Sequence, residues 1–339
     1  MAAALGASLL FGASTPLAKL LVGQTSPWLL AGLLYLGSGL GLAVVFLVMK
    51  KNRAALAPGE ARSLAGAVLT GGVVAPILLM WGLSGMPASG AALLLNAEAV
   101  FTALIAWFVF RENFDWRIAL GMALIIGGAV ILSWPGEAGF GAALPALAVI
   151  AACVAWGIDN NLTRKVALAD ARYIAMVKGL SAGITNTTLA LLLGARLPEL
   201  SIVGAAALLG FLAYGVSLVL FVHALRHLGT ARTGAYFSTA PFAGAVVALA
   251  MLHEPLTVGL VLAAALMACG VWLHLTERHE HLHDHLPMEH IHEHQHDAHH
   301  RHAHEEPLAP GVRHTHRHKH DRLTHSHPHY PDSHHRHDH

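Results

Sequence analysis

ALLLNAEAVFTALIAWFVFRE, residues 92–112, aligns without a gap to GAYFSTAPFAGAVVALAMLHE, residues 234–254. Glu112 falls on Glu254, and Glu98-Ala99 falls on Ala240-Pro241. A second pair agrees: LLFGASTPLAKLL, residues 9–21, against VAWGIDNNLTRKV, residues 154–166, puts Phe11-Gly12 on Trp156-Gly157 and Lys19 on Arg164. The two offsets, 142 and 145 residues, nearly coincide, so one unit is written twice. Each unit is long enough for five spanning helices of about 20 residues. Five is odd, so the second unit must run through the bilayer in the opposite sense. Inverted repeats are a transporter architecture, with the site near the midplane where the halves meet.

Composition agrees. The 339 residues are 55% hydrophobic and 12% charged, against about 25% charged in a soluble domain. Residues 277–339 hold 7 of the 21 Lys+Arg and 11 of the 20 Asp+Glu, leaving a long, almost uncharged body. That body reads as ten apolar spans: 3–22, 27–49, 64–84, 89–110, 116–134, 142–163, 172–194, 201–223, 233–252 and 257–275. Breakers such as Ser26-Pro27, Met86-Pro87, Leu197-Pro198 and His253-Glu254-Pro255 separate them. The expected fold is an all-α integral membrane protein. Its first repeat occupies residues 1–134, its second 141–276, and a His-rich tail 277–339. A spanning β-barrel would need alternation that these runs lack. The first span has no basic lead and is too long for a cleaved signal. Cys153 and Cys269 sit in apolar runs and imply two buried thiols.

Basic residues in short loops set orientation. With the N-terminus inside, the inner loops carry Lys50, Lys51, Arg53, Arg62, Arg111, Arg117, Arg164, Lys165, Arg172, Arg226 and Arg232; the outer loops carry only Arg196. Both termini are therefore expected in the cytoplasm, with the chain in a bacterial-type inner membrane.

The body resembles the EamA-type permeases of the drug/metabolite transporter superfamily. The aromatic-Gly pairs Phe11-Gly12 and Trp156-Gly157 carry the likeness, as do Ala97-Glu98-Ala99 and Thr239-Ala240-Pro241 in spans 4 and 9. Closing glutamates Glu112 and Glu254 and the glycine-rich spans 5 and 10 extend it over residues 1–276. The chain departs from the pattern in lacking a proline after Glu98 and in carrying Asp159-Asn160-Asn161. The resemblance implies a ten-helix secondary carrier, commonly an exporter of small metabolites. Its cavity is expected between spans 1, 3, 4, 6, 8 and 9.

Charges at mid-bilayer cost roughly 2.5–3.5 kcal/mol each on insertion scales, so each one needs a reason. Glu98, beside Asn96 near the centre of span 4, is the candidate proton carrier; the alternative is a structural hydrogen bond to a neighbouring helix. Asp159 and Lys178, on consecutive spans, suit a switchable ion pair or a static one. Asn160 and Asn161 suit a polar ligand or interhelical bonding. Tyr214 and Tyr236 complete the candidate site. Lys19 and Arg164 read as helix-end anchors. Glu112 and Glu254 read as caps on the next helix start. His223 and His227 form a weak i, i+4 metal pair. Pro76 reads as a bend.

The tail holds 23 of the 27 His and too little apolar material for a core, so disorder is expected. Neutral imidazole binds divalent Zn, Ni and Co. The expected ligands are His279, His281, His283, His285, His290, His292, His294 and His296, then His314, His316, His318, His320, His325, His327 and His329. The tail lacks Cys, which argues against Cu(I). Apart from that metal no cofactor is implied. Nothing resembles a phosphate loop, a catalytic triad or a nucleic-acid-binding patch, so the chain is not expected to be an enzyme or to bind nucleic acid. The expected partners are the lipid bilayer, a small-molecule or ion substrate, and a second copy in a homodimer. Three functions remain open: a metabolite exporter, a divalent-metal carrier fed by the tail, and a membrane-tethered metal sensor or buffer.

Overall fold

The computed structural model describes residues 1–48, 60–110, 116–134, 143–166, 170–221, 223–224, 236–276 and, in the tail, the backbone of 280–285, 288–294, 314–320 and 323–328. The body is helical: α1 (Ala2–Val22), α2 (Pro27–Val48), α3 (Glu60–Ser84), α4 (Ala88–Val109), α5 (Trp116–Ser133), α6 (Ala143–Arg164), α7 (Ala171–Leu192), α8 (Leu200–Phe221), α9 (Ala240–Leu252) and α10 (Val258–Leu275). Eight of these are long and apolar enough to cross a membrane. The two exceptions are α7, diluted by Lys178, Asn186, Thr187 and Thr188, and α9, which has 13 residues. Helix ends follow local chemistry. The Ser26 hydroxyl accepts from Leu29 N at 3.2 Å ahead of Pro27, a cap followed by a proline at the first helical position.

Packing respects the repeat. Three helices lie against their own counterparts: α2 on α7, α5 on α10, and α4 on α9. Most of the remaining contacts between halves come in matched pairs: α1 on α9 with α6 on α4, α1 on α8 with α6 on α3, and α2 on α8 with α7 on α3. Within lipid no hydrophobic force separates helix from tail, so small residues that let backbones touch do the fastening. A Cβ on Gly179 would lie 2.8 Å from Gly39 Cα, and one on Gly270 2.5 Å from Gly121 O, so α2–α7 and α5–α10 each meet glycine to glycine. Among the largest fully buried side chains are Leu29, Leu30 and Leu34 of α2, Met80 and Leu83 of α3, and Leu93 and Leu94 of α4.

Four helices depart from regular geometry at sites the repeat superposes. Val68–Val74 of α3 and Phe211–Val216 of α8 are π-helical, with Ala75 N reaching back to Thr70 O and Ser217 N to Leu212 O. In the fourth helix of each half, α4 breaks at Leu95–Asn96 and α9 is preceded by the turn Ser238–Thr239. Isolated π turns collect at functional positions. In α3 the cause is legible. Pro76 has no N–H, so it can serve neither Gly72 O in an α register nor Gly71 O in a π register. Both carbonyls turn to side chains instead. The bend expected from Pro76 is thus a register change.

At one end of the bundle two charged groups tie helix ends together. Lys19 Nζ donates to Leu83 O (2.6 Å) in the last turn of α3 and to Met86 O (2.9 Å) just beyond it, a cation at a helix C-terminus. Glu254 accepts from Ala88 N (2.7 Å), Ser89 N (2.9 Å) and the Ser89 hydroxyl (2.5 Å). Glu254 therefore caps α4 of the other half rather than the next helix in sequence. Glu112, its counterpart, lies outside the described residues, as do Lys50, Lys51, Arg53, Arg111, Arg226, Arg232 and His227. Cys153 is buried as expected; Cys269 is exposed, contrary to expectation, because it lies on the outer face of α10.

The described residues of the tail form two antiparallel strand pairs. β1 (Glu280–His285) pairs antiparallel with β4 (Leu323–Pro328), and β2 (Met288–His294) with β3 (His314–His320). Both ladders keep one register, in which His281 faces His327, His283 faces His325, His290 faces His318, His292 faces His316, and His294 faces His314. The physical reason is the HxH alternation itself: a two-residue repeat matches the two-residue period of a strand.

Candidate functional site

The site grows from the π segment of α3. Gly71 O accepts from Tyr35 Oη (2.9 Å) and Trp156 Nε1 (3.0 Å), and Gly72 O accepts from Asn186 Nδ2 (3.1 Å). Donors from α2, α6 and α7 thus satisfy the carbonyls that Pro76 leaves open. Gly71 is also small for a reason. A Cβ there would collide with the Asp159 carboxylate, which occupies the space beside it.

Asp159 is buried, at 5% exposure. Lys178 Nζ reaches Oδ1 at 2.5 Å and Oδ2 at 2.6 Å, and the Thr163 hydroxyl donates to Oδ1 at 2.8 Å. A buried carboxylate is tolerable only when paired and hydrogen-bonded in this way. One residue further along α6, Asn160 Nδ2 donates to Glu98 Oε1 (2.8 Å) and Thr102 Oγ1 (3.1 Å). Glu98 stands in the first turn after the break in α4. It is half-buried, and Asn160 is exposed, although both lie on helices interior to the packing. The two halves of the chain therefore contribute opposite sides of one polar cluster: Glu98 and Thr102 from the first, Asp159, Asn160 and Lys178 from the second.

An aromatic chain extends the cluster across the molecule. The Tyr35 ring stacks on Tyr214 (centroids 5.5 Å apart, 27° between planes), so Tyr35 touches both π segments. Phe11 meets Tyr214 edge-on at 5.9 Å and Phe237 at 5.3 Å. Ser8 and Thr239 share a hydrogen bond of 2.8 Å beside it.

Of the residues singled out from sequence, Glu98, Asp159, Asn160, Lys178 and Tyr214 come together. Asn161 is spent on structure: its Nδ2 donates to Thr102 O (3.1 Å) and Gly157 O (2.8 Å), fastening α6 to α4. Asn96 points elsewhere, donating to Leu93 O (2.9 Å) with Met267 Sδ at 3.9 Å, so it seals the helix break against α10. Tyr236 contributes its carbonyl to the Thr239 hydroxyl at 2.6 Å, and its neighbour Phe237 supplies the ring that meets Phe11. Sequence reasoning missed Tyr35, Trp156 as a donor, Thr102 and Thr163. The Thr-Gly-Gly run five residues before Pro76 was the available signal for the first two. Among the residues whose side chains are described, no group of three or more His, Cys, Asp or Glu gathers around a metal-sized space. His279, His296 and His329 lie outside the described residues.

Comparison with known proteins adds the following. The family model described as EamA-like transporter family matches residues 1–134 and 143–276. An "Uncharacterized transporter" of Methanothermobacter thermautotrophicus is 31% identical over 210 residues, 59% of this chain and 60% of that one. A "Probable terminal-alkyne amino-acid exporter" of Streptantibioticus cattleyicolor is 29% identical over 205 residues, 58% of this chain and 67% of that one. A crystal structure at 20% identity covers 80% of this chain and 98% of its own, with a TM-score of 0.59, and so supports the fold.

Proposed function

The chain belongs to the EamA-like transporter family, and from that premise we propose that it is a secondary active exporter of a small metabolite, working by alternating access between two inverted halves. The odd number of spans per copy and the matched inter-half contacts support the inversion. The observation that carries the reading is the polar cluster Glu98–Asn160 and Asp159–Lys178, built from both halves of a bundle otherwise almost free of charge. Glu98, half-buried beside a helix break, is the coupling proton's carrier. Asn160 offers the donor and acceptor that a polar substrate requires. The substrate class is an amino acid or a close derivative. Its ammonium suits Glu98 and its carboxylate suits Lys178, and the Streptantibioticus relative is described as an amino-acid exporter. The relatives match over only 58–59% of this chain, and those matches span 60% and 67% of the relatives themselves. Both termini face the cytoplasm on the loop-charge argument.

A second reading has its own support. The tail register sets His opposite His at five pairings, two in one ladder and three in the other, and imidazole suits divalent zinc, nickel or cobalt. We read it as a metal-binding region that regulates or feeds the carrier.

One experiment separates the readings. In proteoliposomes with an imposed pH gradient, flux of radiolabelled amino acids is measured for the full chain, for Glu98→Gln, and for a chain ending at Thr276. Amino-acid flux is expected from the full chain and the shortened one, and only background from Glu98→Gln. Zinc or nickel flux that disappears with the tail, without amino-acid flux, would replace the exporter reading by the metal one.

A further inference from the structure

The environment of the Lys178 ammonium is a cation site made of oxygen. Three oxygens converge on one nitrogen: Asp159 Oδ1 (2.5 Å), Asp159 Oδ2 (2.6 Å) and Thr163 Oγ1 (3.3 Å). All three belong to one turn of α6, so they hold their positions whether or not the lysine is there. The Thr163 hydroxyl is already oriented, donating to Asp159 Oδ1 at 2.8 Å. Gly71 leaves room for the carboxylate itself, which a Cβ there would strike. The lysine arrives from a different helix on a flexible four-carbon stem, and only its terminal nitrogen enters the oxygen cluster.

We propose that Lys178 is a tethered substitute for a small monovalent cation, and that Asp159 and Thr163 form a latent sodium- or lithium-class site which the ammonium fills. Hard cations take oxygen ligands, with water completing the shell. A fixed ammonium satisfies the same carboxylate without an ion having to bind, so the resting state needs no sodium. The test does not depend on what the protein exports, because it reads only what occupies the Asp159 carboxylate.

The test is made on purified full-length protein at pH 8.5, where protons compete weakly for the carboxylate. Lys178→Met keeps most of the stem and removes the charged end; Lys178→Ala leaves the same oxygens with more room. Thermal unfolding is followed as N-methylglucamine is replaced by sodium, lithium or potassium at constant ionic strength. Wild type is expected to show no cation-specific shift. At least one of the two variants is expected to gain about 3 °C or more in sodium or lithium, and the gain is expected to vanish in Asp159→Asn/Lys178→Met. Absence of a shift in both variants, an equal shift in the double variant, or failure of both to fold in every salt overturns the proposal.

Discussion

Gly179→Leu is expected to stop the two halves from closing. The Gly179 Cα faces Gly39 backbone, and even a single added carbon there would sit 2.8 Å from Gly39 Cα and from Gly39 N. Overpacking a well-fitted core costs about 1–3 kcal/mol when side chains can yield. Here the obstacle is backbone on both sides, so the helices themselves must part. The pair α2–α7 joins a helix to its own counterpart, and the displacement would spread to α3 and α8, which flank it. The expected result is loss of the monodisperse peak on size exclusion, with any surviving protein melting far below wild type. Gly204 supplies the control. It lies on the exposed side of α8 with nothing within 4 Å of a built Cβ, so Gly204→Leu is expected to behave as wild type.

The second large effect falls on the ion pair. Asp159→Ala leaves the Lys178 ammonium in a mostly buried position, with the Thr163 hydroxyl as its remaining hydrogen-bond partner among the described residues. Removing one partner of a buried pair typically costs about 3–5 kcal/mol, because the other charge stays uncompensated. Replacing both partners with apolar groups often costs little. Asp159→Ala is therefore expected to lower the melting temperature steeply, and Asp159→Ala/Lys178→Met to recover most of the loss. The double variant, folded but without the pair, is expected to transport nothing. A double variant that is both stable and fully active would make the pair a structural fastener only.

The sequence made the architecture legible because repetition and hydropathy are both one-dimensional signals. Ten helices and two copies follow from hydropathy and spacing, and the charges of Glu98, Asp159 and Lys178 inside apolar runs marked them as candidates. What stayed hidden depended on which face of a helix each residue takes. Asn96 and Asn161 have the same chemistry as Asn160, yet one seals a break against Met267 and another ties α6 to the α4 backbone. Tyr35 looked like one more apolar residue in a leucine-rich run. Its role exists only because Pro76, 41 residues later in sequence, withholds an N–H from α3 and leaves Gly71 O seeking a donor.

The central claim is that the polar junction between the halves is wet and opens to either side in turn. Asn160 tests it best: it is exposed, it touches Glu98, and it lies next to Asp159. In a chain with Cys153 and Cys269 replaced by serine, Asn160→Cys is treated with a charged, membrane-impermeant thiol reagent from one side of oriented vesicles and then, in separate samples, from the other. Labelling from both sides is expected, slowed when a transported amino acid is present. A cysteine that stays unmodified from either side, in a protein that remains folded, would mean a dry helix seam at this position and would contradict the carrier mechanism.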